Sequence, residues 1–258
     1  MSNFIVRTIT GIIILACTIF LIYTGGYSLL FTIMALSLIG IYELSKALKS
    51  KGYKMNLPLA YIFSAILIYF SWIDYPNIEL YILSTYMMII LILTIFDIFD
   101  FKSALLQIFS ILYIPLSFSA FFKLEGTFYI WLIFICAWGT DTFAYLVGSL
   151  IGKHKLIEKV SPKKSVEGAI GGIVGAAFLT FVVATIFNIS NIVPLIIITI
   201  FGSLIAQLGD LTASKIKRYS NTKDFGFIFI GHGGVLDRFD SVLFVAPFIF
   251  VVTSIFLG

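Results

Sequence analysis

Charged residues are scarce in this sequence. They make up 12% of its 258 residues, about half of the roughly 25% that is typical of soluble domains. Hydrophobic residues make up 60%, and this balance excludes an ordinary water-soluble fold. Cysteine is scarce as well. Cys17 and Cys136 both lie inside apolar runs and share no spacing motif, so we predict neither a disulfide nor a zinc site.

Long apolar runs take the place of the missing charge. Each is about 17–25 residues long, enough to cross a hydrocarbon core of roughly 30 Å. Their continuity favours helices over the alternating segments of a β-barrel. No small-residue cleavage site follows the first run, so we interpret it as a retained helix. The sequence predicts an all-α, polytopic membrane protein with about nine transmembrane helices: 9–24, 27–43, 58–73, 79–97, 103–122, 127–149, 168–188, 191–209 and 239–257.

The distribution of lysine and arginine predicts the orientation of these spans. With nine spans and the N-terminus in the cytoplasm, every lysine and arginine except Lys123 lies on the cytoplasmic side, as the positive-inside rule requires. The C-terminus then lies outside the cell membrane. The lysine-rich segment 46–54 is interpreted as an orientation signal that is attracted to anionic lipid.

Two long polar segments divide the chain. We predict an N-terminal region, residues 1–126, with about five transmembrane helices, and a catalytic transmembrane region, residues 127–258. The catalytic region contains two cytoplasm-facing loops, 150–167 and 210–238, which are the places with room for a polar site. Pro115 falls inside the fifth span and is expected to kink it.

Asp141 lies within the sixth predicted span, in the segment Trp138-Gly139-Thr140-Asp141-Thr142. A carboxylate at that depth costs roughly 2.5–3.5 kcal/mol on insertion scales, so such a residue usually faces a cavity and has a function. The alternative is a structural partner for a basic residue of a neighbouring span. We interpret Asp141 as a functional residue.

The segment from Ser161 to Gly168 predicts a phosphate site at a helix start. Ser161 followed by Pro162 is typical of an N-cap and a first helical position. Lys163 and Lys164 would then oppose the helix dipole unless an anion binds there. The alternative is an ordinary capped helix with lysines that only set the topology.

Four glycines open the seventh predicted span, and they have the spacing of a packing motif. They form two pairs, each four residues apart: Gly168 with Gly172, and Gly171 with Gly175. Close helix packing is the expected role. A phosphate-binding loop is not predicted, because no Gly-Lys-Ser/Thr sequence follows.

The densest group of polar residues runs from Asp210 to Asp240. If the eighth helix continues beyond the membrane, Asp210, Ser214, Lys217 and Arg218 share one of its faces. Asp237 and Asp240, three residues apart, share a face at the start of the ninth span. Carboxylates suit Mg²⁺, which is often shared with substrate phosphates. These residues predict a membrane enzyme with a site for Mg²⁺ and several phosphates, acting on a lipid.

The pattern of residues 214–240 resembles the signature of the phosphatidate cytidylyltransferases, also called CDP-diacylglycerol synthases. The resemblance rests on Ser214-Lys215-Ile216-Lys217-Arg218, Lys223-Asp224-Phe225-Gly226 and His232-Gly233-Gly234-Val235-Leu236-Asp237-Arg238-Phe239-Asp240. Upstream, Asp141-Thr142 and Ser161-Pro162-Lys163-Lys164-Ser165 are also similar to that family. Three positions differ from the family pattern: Ala213 replaces a glutamate, Ile230 a proline, and Phe143 a small residue.

The resemblance implies a reaction in which CTP and phosphatidate give CDP-diacylglycerol and pyrophosphate with Mg²⁺. It leaves open a second cation such as K⁺. The resemblance also implies three groups of site residues: Mg²⁺ ligands, phosphate-binding residues and catalytic residues. Some residues belong to more than one group. The metal ligands are Asp141, Asp210, Asp237 and Asp240; the phosphate-binding or catalytic residues are Ser161, Lys163, Lys164, Ser214, Lys217, Arg218, Lys223, His232, Gly233, Gly234 and Arg238, with Asp141 also catalytic. The implied partners are membrane lipid and a second copy of the chain, and no nucleic acid.

Three other functions stay open at this point. The same transfer could act on a polyprenyl or archaeal-type lipid phosphate, because the motif recognises phosphates and not acyl chains. An ion-coupled transporter could use Asp141 as an intramembrane ligand, although no internal repeat supports that class. A catalytically inactive scaffold is the third, suggested by Ala213.

Overall fold

The computed structural model describes residues 3–229 and 233–256, with side chains described from Ile9 onward. It contains eleven helices, a π-helical turn and two strands within these residues. In order they are α1 (Asn3–Thr24), α2 (Gly26–Lys49), α3 (Leu57–Trp72), α4 (Ile78–Ile95), α5 (Phe101–Tyr113), α6 (Pro115–Leu124), α7 (Tyr129–Phe134), the π turn (Ile135–Gly139), α8 (Thr140–Ile151), β1 (Lys155–Ile157), β2 (Ser161–Ser165), α9 (Val166–Ile186), α10 (Ile192–Tyr219) and α11 (Leu236–Phe256).

The length and composition of the helices are those of a multi-pass membrane protein. Seven helical segments in the described part of the chain are long and apolar enough to cross a membrane, and α5 with α6, like α7 with α8, counts as one segment. Two further apolar helices are shorter, Ile9–Thr24 and Leu57–Trp72. The multi-pass prediction is confirmed, whereas the count of nine and the orientation stay predictions.

The chain divides into two compact units. The first unit combines residues 1–126 with 219–238, and the second combines 127–218 with 239–258. The segment that leads into α11 therefore groups with the N-terminal helices, although it lies far from them in sequence. Helix α11 begins in the first unit, and most of its length belongs to the second.

The core of the first unit is formed by apolar residues of α2, α3, α5 and α6. Ile41, Leu67, Ile111 and Phe118 are completely buried there. Pro115 breaks the fifth predicted span as expected: α5 ends at Tyr113 and α6 begins at the proline. Proline cannot donate the backbone hydrogen bond that a continuous helix would need.

Glycines of α9 allow α8 and α9 of the second unit to pack closely, as predicted. A side chain on Gly168 would meet the backbone of Gly148 at 3.1 Å, and one on Gly171 would meet Val147. The ring of Phe143 fills the space that a side chain on Gly175 would occupy. The bulk of Phe143, one of the three departures named above, is thus accommodated by a glycine opposite.

The segment before α9 is a short β-hairpin in an otherwise helical fold, which agrees with the predicted all-α class and corrects one local prediction. The strands β1 and β2 pair antiparallel. The predicted N-cap at Ser161 is wrong, because Ser161–Ser165 is strand and the cap is Ser165, whose Oγ accepts the N–H of Gly168 at 3.1 Å. Pro162 is compatible with the start of an edge strand. Lys163 and Lys164 therefore project from a strand, and not from a helix turn.

Helix α10 extends well beyond the predicted span end at residue 209. It continues to Tyr219, so Asp210, Ser214, Lys217 and Arg218 lie on one helix. The first part of the predicted loop 210–238 is therefore helical. Gly209 brings this helix close to α11, since a side chain there would meet the Asp240 carbonyl oxygen at 2.8 Å.

Candidate active site

A cavity of about 340 Å³ with charged side chains in its walls lies within the second unit. Helix α8, the β-hairpin, α9 and α10 all contribute to its walls. Asp141 is the second residue after the π turn, a distortion that often occurs at functional sites, and it lines the cavity. The polar lining residues are Asp141, Tyr145, Ser149, Lys163, Lys164, Ser165, Gln207 and Asp210.

Asp210 and Lys164 form an ion pair in the cavity wall. Both side chains are partly shielded, with 20% and 25% of their surfaces exposed. The Ser214 hydroxyl donates to Oδ1 of Asp210 at 3.3 Å. The pair places a carboxylate and an ammonium side by side, an arrangement that can hold a cation and a phosphate at one place.

Asp240 is the buried member of an acidic group in the second unit. Only 8% of it is exposed, and Asp210 and Asp141 act on it electrostatically together with the opposing charge of Lys217. Its Oδ1 accepts the N–H of Ser241 at 2.8 Å. Like charges grouped in a shielded place favour a bound cation, and an all-oxygen donor set is the kind that Mg²⁺ prefers.

The carboxylates are not assembled into a ready coordination sphere. Among residues 3–229 and 233–256, no group of three or more His, Cys, Asp or Glu side chains is arranged so that it could hold a metal ion. Asp210 pairs with Lys164 in this arrangement. The carboxylate oxygens are of the type that Mg²⁺ prefers, whereas Mg²⁺ binding by the four aspartates stays a prediction.

The hairpin that carries the lysines is fixed at its base and along its side. Glu167, in the first turn of α9, accepts the Lys153 N–H at 3.0 Å and contacts the His154 ring nitrogen at 2.6 Å. Lys155 donates to the Pro162 carbonyl oxygen at 2.7 Å. Arg218 of α10 donates to the Val160 carbonyl oxygen at 3.4 Å. These bonds hold Lys163 and Lys164 on the cavity wall.

The first unit contains the second group of predicted site residues, around Asp237. We call residues 225–229 and 233–237 the Asp237 loop. Oδ2 of Asp237 accepts the N–H groups of Phe225 at 2.8 Å, Gly234 at 2.9 Å and Gly226 at 3.4 Å. A backbone bond from Phe229 to Gly233, 2.9 Å long, joins the two arms of the loop. The carboxylate thus organises backbone, and its role as a metal ligand stays a prediction.

The other predicted residues of this group are placed as follows. Gly233 has a positive φ of 85°, which glycine adopts without strain, and Gly234 is buried. Lys223 is exposed and Arg238 is half-buried. His232 and the family departure Ile230 lie outside the described residues. Ala213, the third departure, is completely buried in α10.

Several residues of these sites were not predicted from the sequence, and Glu43, Gln207 and Glu167 make the contacts that position the others. Glu43 of α2 is 2% exposed and binds the backbone at the start of α11. Gln207 donates to the Ala169 carbonyl oxygen at 3.1 Å beside the cavity. Glu167 anchors the hairpin, as described above. Glu43 could have been found, because it is an ionisable residue at the end of a predicted span, the criterion that identified Asp141.

Comparison with known proteins places these sites in a wider context. A family model described as the cytidylyltransferase family matches residues 5–256. The phosphatidate cytidylyltransferase of Staphylococcus haemolyticus is 37% identical over 256 residues, covering 94% of this chain and 96% of the relative. The enzyme of the same name from Bacillus subtilis is 32% identical, covering 97% of each chain, and that of Staphylococcus aureus strain COL is 36% identical, covering 94% and 96%.

Proposed function

The chain belongs to the cytidylyltransferase family, and we propose that it transfers the cytidylyl group of CTP to phosphatidate. The products are CDP-diacylglycerol and pyrophosphate. The relatives named as phosphatidate cytidylyltransferases cover nearly the whole chain. The observation that carries the proposal is the cavity in which Lys163, Lys164 and the acidic side chains of Asp141 and Asp210 meet.

The reaction needs positioning and charge stabilisation more than proton transfer. A phosphate oxygen of phosphatidate attacks the α-phosphorus of CTP, the bond from that phosphorus to the bridging oxygen breaks, and pyrophosphate leaves with the electron pair. The attacking phosphate is already an anion, so no strong general base is needed. Catalysis then depends on alignment and on fixed positive charge near the phosphate oxygens.

The lysines of the hairpin supply that positive charge. Lys163 and Lys164 lie on the cavity wall, where Lys164 pairs with Asp210. We propose that they bind CTP phosphates and that Lys217 and Arg218 of α10 add to the positive charge. Ser161, at the start of β2, and Ser214, which donates to Asp210, orient the same groups.

We propose Mg²⁺ as the cofactor, because carboxylate oxygens are the ligands that it prefers. The proposed ligands are Asp210, Asp240 and Asp141, which are not gathered into a metal site in the described part of the chain. Bound there, Mg²⁺ would neutralise phosphate oxygens and help to align them. Lys164 balances the charge of Asp210 in its present arrangement. We keep Asp237 apart from this group, because its Oδ2 accepts three backbone N–H groups.

We also propose the topology that the charges predict. Nine spans with a cytoplasmic N-terminus place the hairpin lysines and α10 residues Asp210–Arg218 on the side where CTP is present. The protein acts in the cell membrane, and a homodimer is the proposed assembly.

One assay tests the proposed function. The protein is purified in detergent and supplied with radiolabelled CTP, phosphatidate and Mg²⁺, and lipid-soluble label is measured. Label should appear, should vanish on chelation with EDTA, and should return with added MgCl₂. A parallel reaction with polyprenyl phosphate distinguishes the lipid substrates. Absence of lipid-soluble label, where a B. subtilis control works, would overturn the proposal.

A further inference from the structure

Glu43 is the single acidic residue of α2, and it is buried. Helix α2 is one of the segments long and apolar enough to cross a membrane. Only 2% of Glu43 is exposed. Burial of a carboxylate is costly unless hydrogen bonds replace its hydration. The carboxylate of Glu43 therefore needs hydrogen-bond donors within the protein.

The partner is the start of α11, nearly two hundred residues later in the chain. Oε1 of Glu43 accepts the N–H of Val235 at 3.0 Å, and Oε2 accepts the N–H of Leu236 at 2.9 Å. The first N–H groups of a helix have no acceptor within the helix. A carboxylate there is favoured by charge-assisted hydrogen bonds and by the helix dipole. Glu43 therefore caps α11 from a distant helix.

The backbone around Glu43 is shaped to admit its carboxylate. A side chain on Gly234 would lie 2.6 Å from Oε2 of Glu43, and one on Gly226 would overlap Oε1. One turn earlier on α2, a side chain on Gly40 would meet Leu236 at 3.2 Å. Three glycines thus leave the space in which α2 and the start of α11 meet.

Glu43 and Asp237 bind neighbouring backbone groups. Glu43 holds the N–H groups of Val235 and Leu236, while Asp237 holds those of Phe225, Gly226 and Gly234. The two carboxylates also act on each other electrostatically. Together they fix both arms of the Asp237 loop, and the direction in which Asp237 and Arg238 leave it.

We infer that Glu43 is a positioning residue for the transfer reaction, acting through the Asp237 loop and the start of α11. This inference rests on the proposed function. It gives the N-terminal helices a part in catalysis beyond anchoring, because one side chain of α2 sets the backbone from which Asp237 and Arg238 project. Glu43 itself does not touch the substrates.

The matched variants are Glu43→Gln and Glu125→Gln. Glu125 is a second carboxylate that holds a helix start in the same unit: its Oε1 accepts the N–H of Gly26, the first residue of α2, at 2.6 Å. A glutamine at either position keeps the size and loses the charge. At position 43 it also turns an N–H₂ group toward backbone donors.

The measurements are kcat and KM for CTP per folded molecule, and hydrogen exchange of the backbone amides. Glu43→Gln should lower kcat by about tenfold to 100-fold, as misplacement of reacting groups does. KM for CTP should change less than about threefold, because Lys163 and Lys164 still bind CTP as they do in the wild type. Exchange at Val235 and Leu236 should become faster, with α9 unaffected. Glu125→Gln should change neither kcat nor this exchange.

Two results would overturn the inference. The first is an unchanged kcat with unchanged exchange at Val235 and Leu236. The second is a lower unfolding temperature with normal kcat per folded molecule, since that is the behaviour of a purely structural residue. If the wild-type chain makes no CDP-diacylglycerol, the proposed function fails, and the exchange data still decide whether Glu43 fixes the helix start.

A second variant covers the case in which Glu43→Gln does not fold. Gly226→Ala adds a methyl group that overlaps the Glu43 carboxylate and leaves Glu43 itself in place. The same loss of kcat and the same faster exchange at Val235 and Leu236 are expected. Wild-type values for both would contradict the inference.

Discussion

Asp210 and Asp237 belong to the same short, charged stretch of sequence, yet the structure uses them differently. Asp210 pairs with the Lys164 side chain on the wall of an open cavity in the second unit. Asp237 lies buried in the first unit and binds three backbone N–H groups. The first carboxylate is available for exchange of partners, whereas the second is part of the backbone scaffold. One sequence motif can therefore contain a residue that lines the cavity and another that fixes the backbone.

The largest effects are expected when the two carboxylates are neutralised. Asp210→Asn should lower turnover by about 100-fold or more, the size typical of a lost electrostatic contribution. Asp237→Asn should lower turnover by a similar factor, because the loop that it holds is displaced. Only Asp237→Asn should also destabilise the fold, by about 1–3 kcal/mol, because its buried N–H partners lose a charged acceptor. Turnover and thermal unfolding in detergent measure the two effects. Equal stability losses in both variants would contradict the comparison.

A smaller effect is expected for the lysines of the cavity. Lys164→Ala should raise KM for CTP about tenfold, equivalent to roughly 1.4 kcal/mol, because a phosphate-binding charge is removed. Lys159→Ala is the matched control. It removes an exposed lysine of the same hairpin that does not line the cavity, and its KM should equal that of the wild type. Similar KM values for both variants would show that the hairpin attracts CTP only through its general charge.

The smallest effect is a test of orientation and leaves activity unchanged. Single cysteines are placed at Lys49 and Lys159 in a background without Cys17 and Cys136. Both should react with a membrane-impermeant thiol reagent only after the cell membrane has been permeabilised. These positions represent the lysine-rich segments of the first and second units. Labelling of either one from outside intact cells would reverse the proposed topology for that segment.

Much of the fold was predictable because membrane insertion follows composition. Apolar runs and proline positions predicted the helical segments, and the break at Pro115 occurs where proline removes a backbone donor. The β-hairpin was missed because Ser161-Pro162 matches a helix start as well as an edge strand. Tertiary pairing of β1 with β2 decided between the two.

The site was predictable to the level of residue types. Asp141, Lys163, Lys164 and Asp210 were selected for their charge, and they line one cavity. The use of Asp237 as an acceptor for backbone N–H groups was not predictable, since it depends on where Phe225 and Gly234 fold. The partners of Glu43 were not predictable either, because they lie nearly two hundred residues away in the chain.

The sequence by itself determined that the protein lies in a membrane and which charged residue types its candidate site contains. Low charge and long apolar runs indicated a lipid environment, and the grouped aspartates and lysines predicted anions and cations as partners. The tertiary structure decided which charge meets which. Lys164 faces Asp210 because a hairpin turns it onto the cavity wall, and Glu43 caps α11 because glycines leave room for its carboxylate. The charge of a side chain follows from its residue type alone. The partner of a buried charge depends on how distant parts of the chain pack together.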